Sequence, residues 1–370
     1  MGTNRKVYII DYIGTHCGMH YYDESFVAVL ARIGEVDIEV LSNYVTTGGR
    51  PFFRNFYNVK RWRGVMRVLA GYCRLLALVL RRRRSVFVAY SFGNAIDVGV
   101  MLILSFARCG VMDVHETIAQ KDEDKPLFRR IFGWLYRHAV ENVILHSERT
   151  DVMLDALGYT GRRFRVPHVR YGVRCTPDMA DVGADVATAF DAGKTNFLFF
   201  GNIMYNKGID LLVAAANAMG GAEAAGVRIV VAGKRLDDSM YTVPLRRPEM
   251  FVFITRHIGD DELAYLYSGT DYVVLPYRKT AQSGIMEMAF HFRRPVIASD
   301  IPYFRQTLAK YPSFGVLTDT GAEKFAVTLT ACAARGREGF FYPQDVASYE
   351  HDDEMERFTD EFGRFLGCTD

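Results

Sequence analysis

The segment Phe199–Gly208, FFGNIMYNKG, combines a strand end, a glycine and a lysine in an order that suits phosphate binding. Gly201 follows the apolar run and allows a ligand to approach the backbone closely. Lys207 precedes the apolar face of a predicted helix, so its ammonium and the helix N-terminus would both attract a diphosphate. A solvated lysine in a turn has the same spacing, and this segment alone does not separate the two interpretations.

A second polar segment lies within Tyr272–Asp300. A buried strand is predicted to end at Pro276. Ser283 and Gly284 then begin a helix whose first amides could meet a phosphate or a sugar hydroxyl. Glu287 lies one turn further on and could accept hydrogen bonds from a ribose or another sugar. The structural alternative is a capping box, which also pairs a serine with a nearby carboxylate.

The elements that position these groups form two series of alternating strands and helices, which predicts an α/β fold. The predicted domains are 1–176 and 196–342, with a linker at 177–195 and a C-terminal helical segment, 343–370, that packs back on the first domain. Parallel doubly wound sheets bind ligands at the carboxyl ends of their strands. We therefore expect two Rossmann-like domains that face each other across a cleft. Eleven strands are predicted: Val7–Asp11, Asp37–Leu41, Val86–Tyr90, Val111–His115, Asn142–His146, Arg163–Pro167, Asn196–Phe200, Val227–Ala232, Met250–Ile254, Tyr272–Pro276 and Pro295–Ser299.

The order of short motifs over residues 196–305 resembles glycosyltransferase family 4. After the KG helix start come V-x-A-G at Val230–Gly233, D-E-L-x-x-L-Y at Asp261–Tyr267, L-P-Y, S-G and P-V-I-A-S-D. The resemblance continues more weakly into the first domain, through VHE at 114–116, LHSE at 145–148 and VPH at 166–168. It implies a GT-B fold and transfer of a sugar from a nucleotide sugar with retention of the anomeric configuration.

The resemblance also implies roles for individual residues. Lys207 matches the lysine that binds the donor phosphates, and Gly14 and Gly18 match a glycine-bearing loop beneath them. Ser283 and Gly284 match the loop that holds the diphosphate and the sugar.

His115, at a predicted strand end, is similar to the family's active-site histidine near the transferred sugar. The alternative is a strand-end histidine whose hydrogen bonds are satisfied inside the core. The sequence shows no obvious nucleophile and no Asp-x-Asp motif, so we expect neither a covalent intermediate nor a metal-bound diphosphate, and no cofactor besides the nucleotide-sugar substrate.

Two positions depart from the family pattern. Asn202 stands where the family usually has an arginine that contacts the donor, and the family's second glutamate would fall at Met288, one residue after Glu287. Arg278 and Lys279 lie in a neighbouring loop and could supply the missing positive charge. The same departures leave a second hypothesis open, a non-catalytic nucleotide-binding or membrane-associated partner. Two other enzymes on the same fold fit less well. An epimerase would need several buried carboxylates lining the cleft, and a pyridoxal phosphate phosphorylase would need a longer chain; the sequence shows neither feature.

The composition is that of an ordinary globular protein, with 49% hydrophobic and 24% charged residues among 370. Six scattered cysteines without a CxxC pair predict neither a disulfide framework nor a structural zinc, and no signal or transmembrane segment is expected. The net charge of +2 conceals a segment, Val40–Ile96, that has eleven basic residues and no acid. Such a segment indicates a polyanionic neighbour.

The helix predicted at Trp62–Leu80 is the centre of this basic segment. As a sheet-covering helix it would be purely structural, with a solvated basic turn at its end. It also fits attachment to an anionic membrane, with nearby aromatics at Phe52, Phe53, Phe56 and Tyr57. Nucleic acid fits poorly because the rest of the chain is acidic. The predicted membrane contacts are Trp62, Arg63, Arg67, Arg81, Arg82, Arg83 and Arg84.

The resulting expectation is a cytoplasmic enzyme peripheral to the inner face of the cell membrane. It would transfer a sugar to a saccharide acceptor, lipid-linked in this hypothesis, during synthesis of a bacterial surface polysaccharide or glycolipid.

Overall fold

The computed structural model describes residues 5–15, 18–34, 36–45, 51–54, 61–119 and 122–367. The strands are β1 (Arg5–Ile10), β2 (Val36–Leu41), β3 (Val86–Phe92), β4 (Cys109–Glu116), β5 (Asn142–Leu145), β6 (Arg162–Arg165), β7 (Thr195–Phe200), β8 (Val227–Ala232), β9 (Phe251–Ile254), β10 (Tyr272–Leu275), β11 (Val296–Ser299) and β12 (Gly315–Thr318). The helices are α1 (Met19–Leu30), α2 (Trp62–Arg81), α3 (Ala95–Leu104), α4 (Pro126–His138), α5 (Glu148–Ala156), α6 (Ala184–Ala187), α7 (Ile209–Ala218), α8 (Gly221–Ala225), α9 (Asp260–Gly269), α10 (Gly284–His291), α11 (Pro302–Lys310), α12 (Ala322–Arg335), α13 (Pro343–Glu350) and α14 (Asp353–Gly367).

These elements form two units, each with its own parallel sheet. The first unit is Met1–Val169 with Asp352–Asp370, and the second is Arg170–His351. The strand orders are β2-β1-β3-β4-β5-β6 and β12-β11-β10-β7-β8-β9. Strands such as β10 are buried along their whole length, as expected when helices cover both faces of a parallel sheet. The prediction of two Rossmann-like α/β domains is confirmed.

In the first unit, the direction of the strand crossovers sorts the helices onto two faces of the sheet. The chain moves one way from β1 to β2, and the other way from β2 through β3, β4 and β5 to β6. Right-handed crossovers therefore place α1 on one face and α2 to α5 on the opposite face. Along that second face, α2 packs against α3 and α3 against α4.

The C-terminal segment divides between the two units. Phe362 and Phe365 of α14 pack on Phe164 of β6, with ring centroids 5.1 and 5.0 Å apart, within the first unit. By contrast α13 belongs to the second unit, where Tyr349 lies against Phe314. The single helical segment predicted at 343–370 is thus two helices, and the second unit ends at His351 rather than at 342.

The other domain boundary also differs from the predicted one. Residues 170–195 belong to the second unit instead of forming a separate linker. The Oγ of Ser268 donates to the carbonyl of Cys175 at 3.1 Å, and Arg256 pairs with both Asp185 and Glu262 at 2.7 and 2.6 Å. These contacts attach the segment to α9. Its sequence is rich in alanine, glycine and aspartate, so it carried no strong sign of this packing.

Strand β12 was not predicted. It is a four-residue strand at the sheet edge, and its burial does not alternate as a half-buried strand's would. Among the described residues, no helix has the combined length and hydropathy to cross a bilayer.

Candidate functional site

A glycine follows each of β7 and β8 at their carboxyl ends in the second unit. Gly201 and Gly233 both have positive φ angles, 104° and 144°. A Cβ on Gly233 would lie 2.0 Å from the carbonyl oxygen of Gly201, so only glycine allows the two loops to approach this closely. The amide of Ile203 then donates to the carbonyl of Lys234 at 2.9 Å. The two loops are held side by side at the edge where parallel sheets bind ligands.

Lys207 ends a 3₁₀ turn directly before α7. The following Gly208 has a φ of 69° and is the N-cap of α7, and a Cβ there would lie 1.8 Å from the carbonyl of Pro276. The Nζ of Lys207 lies 3.8 Å from the ring centroid of Tyr277, at the end of β10. Lys207, a half-buried residue, therefore lies between a helix N-terminus and the end of a central strand. This arrangement attracts an anion through the charge and the helix dipole together.

Arg278 does not provide a second mobile charge at this edge. Its guanidinium forms two hydrogen bonds with the carboxylate of Asp210, at 2.8 and 2.6 Å, and donates to the carbonyl of Tyr205 at 2.5 Å. The guanidinium also lies 4.0 Å from the ring centroid of Tyr205. Hydrogen bonding to Asp210 raises the pKa of Arg278 above its usual value. Arg278 therefore fixes the turn that carries Lys207. The other two polar candidates, Asn202 after Gly201 and Lys279 after Arg278, are half-buried.

The N-terminus of α10 carries the serine and glycine singled out above. Ser283 is the N-cap, and its Oγ accepts from the amide of Met286 at 3.3 Å. A Cβ on Gly284 would lie 2.4 Å from the hydroxyl of Tyr171, which explains the glycine. Because the third helical residue is Met286, Glu287 does not complete a capping box with Ser283.

Glu287 is instead engaged by the protein's own tyrosines. Its side chain is buried, and Oε2 accepts a hydrogen bond from the hydroxyl of Tyr349 of α13 at 2.8 Å. Burial raises the pKa of Tyr171 and of Tyr303, and the charge of Glu287 raises both further. The carboxylate thus joins α10 to α13 among buried phenols, and the predicted contact with a ribose has to compete with this hydrogen bond.

The glycine loop of the first unit is held by two polar side chains. The carboxylate of Asp11 accepts from the amides of Ile13 and Gly14, at 2.9 and 2.8 Å. The amide group of Asn43 donates to the carbonyl of Ile13 at 2.8 Å and accepts from the amide of Thr15 at 3.2 Å. Gly14 has a φ of 57°, and a Cβ there would lie 1.9 Å from Oδ1 of Asn43.

Gly18 begins the helix that follows this loop. It is the N-cap of α1 in a left-handed conformation, with a φ of 72°. Residues 16 and 17, between the two glycines, lie outside the described residues.

A buried carboxyl group, Asp23, lies on α1, where Tyr44 donates to its Oδ2 at 2.6 Å. Burial and the nearby charge of Asp11 raise the pKa of Asp23 well above its usual value.

His115 lies near the carboxyl end of β4 and is buried, with 5% of its surface exposed. Its ring stacks on Phe92 with centroids 5.2 Å apart, and Nε2 is 3.8 Å from Oδ1 of Asp113. Burial lowers the pKa of His115 from 6.5 to about 4. The imidazole is therefore neutral at pH 7 and can act as a hydrogen-bonding group rather than as a cation.

Asp113, which the sequence did not mark as a candidate, links His115 to His146 of the LHSE motif and to Tyr22. Its Oδ1 lies 2.5 Å from Nε2 of His146, and its Oδ2 accepts from the hydroxyl of Tyr22 at 2.7 Å. Burial alone would raise the pKa of Asp113, but His146, His115 and the hydrogen bond from Tyr22 outweigh it and lower the pKa. Burial also lowers the pKa of His168, to about 3.

A signal for this cluster was present in the sequence. Asp113 precedes His115 by two residues on one strand, so the two side chains share a face of the sheet. His146 directly follows β5, which pairs with β4. The ligand atoms of Asp113, His115 and His146 lie within 4.8 Å of one another. Among the residues that the structure describes, these three form a group that could hold a metal ion. The expectation that no metal is needed remains a prediction.

Helix α2 has both of the predicted faces. Val68, Leu75 and Val79 are buried against the first unit's core, whereas the predicted contacts Trp62, Arg63, Arg67 and Arg81 to Arg84 are exposed. The aromatic residues before it do not match the prediction. Phe53 is fully buried, and Phe52 is partly buried beneath the guanidinium of Arg74, 5.6 Å from its ring centroid. Phe56 and Tyr57 lie outside the described residues.

Comparison with known proteins gives a family match for the second unit. Residues 194–334, within the second unit, match the family model described as Glycosyl transferases group 1. No curated protein matches the chain in sequence. The fold is the GT-B fold of glycosyltransferases. More particularly, the second unit carries a group 1 glycosyl transferase domain.

Solved structures share this fold over almost the whole chain. A sucrose-phosphate synthase from Thermosynechococcus elongatus is 15% identical with a TM-score of 0.64, covering 98% of this chain and 94% of its own. HepE of Anabaena, in complex with UDP and glucose, is 13% identical with a TM-score of 0.66, covering 98% of this chain and 100% of its own. WaaG, a glycosyltransferase involved in lipopolysaccharide biosynthesis, is 11% identical with a TM-score of 0.60, covering 98% and 95%.

Proposed function

We propose that the chain transfers a sugar from a nucleotide sugar to a saccharide acceptor with retention of the anomeric configuration, as the resemblance to family 4 implies. The observation that carries the proposal is the position of Lys207 in the matched domain. Lys207 directly precedes Gly208, the N-cap of α7, and its ammonium lies over the ring of Tyr277 just after β10. Crystal structures of Anabaena HepE contain UDP or UDP-glucose, which supports a nucleotide-sugar donor here.

The proposed mechanism rests on charge stabilisation of the leaving diphosphate. Lys207 and the N-termini of α7 and α10 offer positive potential where negative charge develops, which lowers the barrier to breaking the glycosidic bond. Arg278 holds the Lys207 turn through Asp210 and Tyr205, so the ammonium is positioned before the donor binds. No protein nucleophile is invoked, and the acceptor hydroxyl attacks from the face that the diphosphate leaves. The reaction is proposed to be independent of a metal ion.

His115 is proposed to hydrogen-bond a hydroxyl of a bound sugar. Because its imidazole is neutral at pH 7, it can both donate and accept a hydrogen bond without a charge penalty. Asp113 and Phe92 hold the ring in place, through the 3.8 Å approach and the stacking contact. In this proposal His115 orients a sugar hydroxyl as a neutral group and supplies no positive charge.

The acceptor is proposed to be lipid-linked, which would place the enzyme at the inner face of the bacterial cell membrane. The exposed arginines of α2 and the turn after it support attachment to anionic lipid. The similarity in fold to WaaG is compatible with work on a surface polysaccharide or glycolipid. Within the cell, the chain would be a peripheral cytoplasmic enzyme.

Donor binding is tested by thermal unfolding of the purified protein with UDP, GDP, ADP, dTDP and CMP, each in the presence and absence of a chelator. A ligand at about 100 times its Kd stabilises by about 2.7 kcal/mol. We expect one nucleotide to raise the Tm of the wild type with or without chelator, and Lys207→Ala to abolish that rise. Lys324→Ala, which changes an exposed lysine of α12 in the same unit, is the matched control. Absence of any response to nucleotide would contradict the proposed donor site.

One observation favours a second hypothesis, a nucleotide-binding partner without catalysis. Asn202 stands at the family's arginine position, and the carboxylate of Glu287 already accepts a hydrogen bond from Tyr349. Nucleotide binding that depends on Lys207, without release of nucleoside diphosphate from any nucleotide sugar, would support this second function.

A further inference from the structure

The outer layer formed by α2, α3 and α4 exposes an unusual number of large apolar side chains. We call it the α2–α4 surface and define it by the exposed residues of these helices and of the turns that follow α2 and α3. Its apolar members are Trp62, Met66, Leu69, Leu80, Leu102, Phe106, Leu127 and Trp134, each more than 40% exposed. Helix α3 contacts both of its neighbours, so the three helices that carry these side chains form one continuous layer.

The same surface is strongly cationic. The only acid within the three helices, all of whose residues the structure describes, is Asp97, which is fully buried. Its carboxylate is used inside the fold, where it accepts from the amides of Phe92 and Asn94. The exposed basic residues are Arg63, Arg67, Arg74, Arg81, Arg82, Arg83, Arg84, Arg108, Arg129, Arg130 and Arg137.

Hydrogen bonds join the two turns of this surface. The Nε of Arg83 donates to the carbonyl of Phe106 at 3.2 Å, and the amide of Arg108 donates to the carbonyl of Arg83 at 3.2 Å. The arginine cluster after α2 is therefore adjacent to the exposed ring of Phe106. Positive charge and apolar area occur together rather than on separate patches.

This combination favours an anionic bilayer over other partners. A phosphate-rich nucleic acid would satisfy the arginines, but it offers no environment for exposed leucine and methionine side chains. Water alone leaves a large apolar area exposed, which is unusual for a monomer. The boundary between lipid headgroups and acyl chains accommodates arginine, leucine and tryptophan together. Because the exposed charges are arginines, charge complementarity favours lipids with anionic headgroups.

We infer that the whole α2–α4 surface lies on an anionic membrane, with Leu127 and Trp134 of α4 and Phe106 after α3 entering the acyl boundary. The inference rests on the membrane attachment proposed above for α2 and extends it to two further helices. In this arrangement Phe106, Leu127 and Trp134 take the anchoring role predicted for Phe52 and Phe53, which are buried or partly buried in the fold. Binding then has a salt-sensitive part from the arginines and a salt-resistant part from the apolar side chains.

The tryptophans make this inference directly measurable. The chain has two tryptophans, Trp62 and Trp134, which are 73% and 51% exposed and both on this surface. Intrinsic tryptophan emission therefore reports on the α2–α4 surface alone. In the Trp62→Phe variant, all emission comes from α4. We expect vesicles of phosphatidylcholine and phosphatidylglycerol to shift this emission to the blue, and brominated lipids to quench it.

The decisive experiment is vesicle flotation with matched pairs of variants at low and high salt. Leu127→Gln with Trp134→Gln removes two apolar anchors without changing charge. Tyr241→Gln with Val327→Gln removes two exposed apolar side chains of the second unit and is the control. The wild type and the control should remain bound to the anionic vesicles at high salt. The α4 variant should lose at least ~10-fold in partitioning there.

The outcomes separate this inference from the proposal on which it rests. If the α4 variant binds as the wild type does, or if emission of the Trp62→Phe protein is not quenched, the extension to α4 is overturned while attachment through α2 stands. If the wild type binds neither anionic nor neutral vesicles, both membrane proposals are overturned. If it binds neutral vesicles equally well, the assignment of an anionic lipid is overturned. None of these outcomes bears on donor binding at Lys207, which is measured without lipid.

Discussion

Asp113 and His146 are joined inside the first unit by a 2.5 Å contact between Oδ1 and Nε2, with both side chains buried. The second oxygen of the carboxylate accepts a hydrogen bond from Tyr22. One buried charge thereby holds a histidine, a tyrosine and, at 3.8 Å, the imidazole of His115. Because burial makes such a charge costly when it is left unpaired, the partners are expected to depend on one another.

Replacement of Asp113 by asparagine tests this dependence. The variant keeps the shape of the side chain but removes its charge, so the hydrogen bonds to His146 and Tyr22 weaken. We expect the free energy of unfolding to fall by about 1–3 kcal/mol, and kcat to fall more than the affinity for the donor. Denaturant titration and steady-state kinetics measure the two effects. Asp319→Asn, at an exposed ion pair, is the control and should change stability much less than Asp113→Asn does. A fully stable and active Asp113→Asn protein would contradict the positioning role.

The neutral state of His115 predicts a pH dependence of stability. Its pKa is lowered from 6.5 to about 4 in the folded protein, so between these values the unfolded chain binds a proton that the folded chain does not. Above pH 6.5 the histidine is neutral in both states, and as the pH falls from 6.5 to 4 its protonation in the unfolded chain lowers the free energy of unfolding by about 3 kcal/mol. His115→Gln removes this titrating group, so the wild type should lose stability relative to the variant over this range. A difference in unfolding free energy that does not change with pH would refute the assignment.

The hydrogen bond between Tyr349 and Glu287 predicts that the two residues act together on stability. Tyr349→Phe and Glu287→Gln each disturb one buried hydrogen bond, and the double variant should cost less than the sum of the two. We expect a coupling energy of about 1 kcal/mol from the double-mutant cycle. Additive effects on stability, together with a raised KM for the donor in Glu287→Gln alone, would instead support the predicted contact with a ribose.

The glycine loop predicts an effect of Gly14→Ala that depends on backbone geometry. The φ of 57° and the close approach of Asn43 both oppose a Cβ at this position. We expect a loss of at least about 1 kcal/mol in stability and weaker binding of the donor. Gly172→Ala is the control, because its Cβ would meet nothing within 4 Å and its φ is not in the left-handed region. Equal behaviour of the two variants would show that the loop tolerates displacement.

Much of the fold followed from the sequence because apolar periodicity is local. Short apolar runs such as Val86–Phe92 and Tyr272–Leu275 predict strands of a parallel sheet, because helices bury both faces of such strands. The edge strand β12 and the assignment of residues 170–195 depend on contacts with distant elements, including the pairing of Arg256 with Asp185. These contacts leave no periodic pattern in the sequence.

Among the candidate residues, glycines and the lysine were more predictable than the carboxylates and arginines. Gly201 and Gly208 adopt the positive φ angles that such positions require, and Lys207 lies at the helix start where it was expected. By contrast, the partner of Arg278 is Asp210, 68 residues away, and the partner of Glu287 is Tyr349, 62 residues away. A long side chain can reach several partners, and only the folded structure determines which one it contacts.

The measurement that tests the central claim most directly is release of nucleoside diphosphate from a nucleotide sugar by the wild type and by Lys207→Ala, with membrane lipid supplied as the acceptor source. The nucleotide is the one that stabilises the wild type in the thermal assay. We predict release by the wild type and a loss of ~100-fold or more in kcat for the variant, as removal of one group that stabilises transition-state charge commonly causes. Equal rates in the two proteins, or no release by a wild type that binds the donor, would contradict the account.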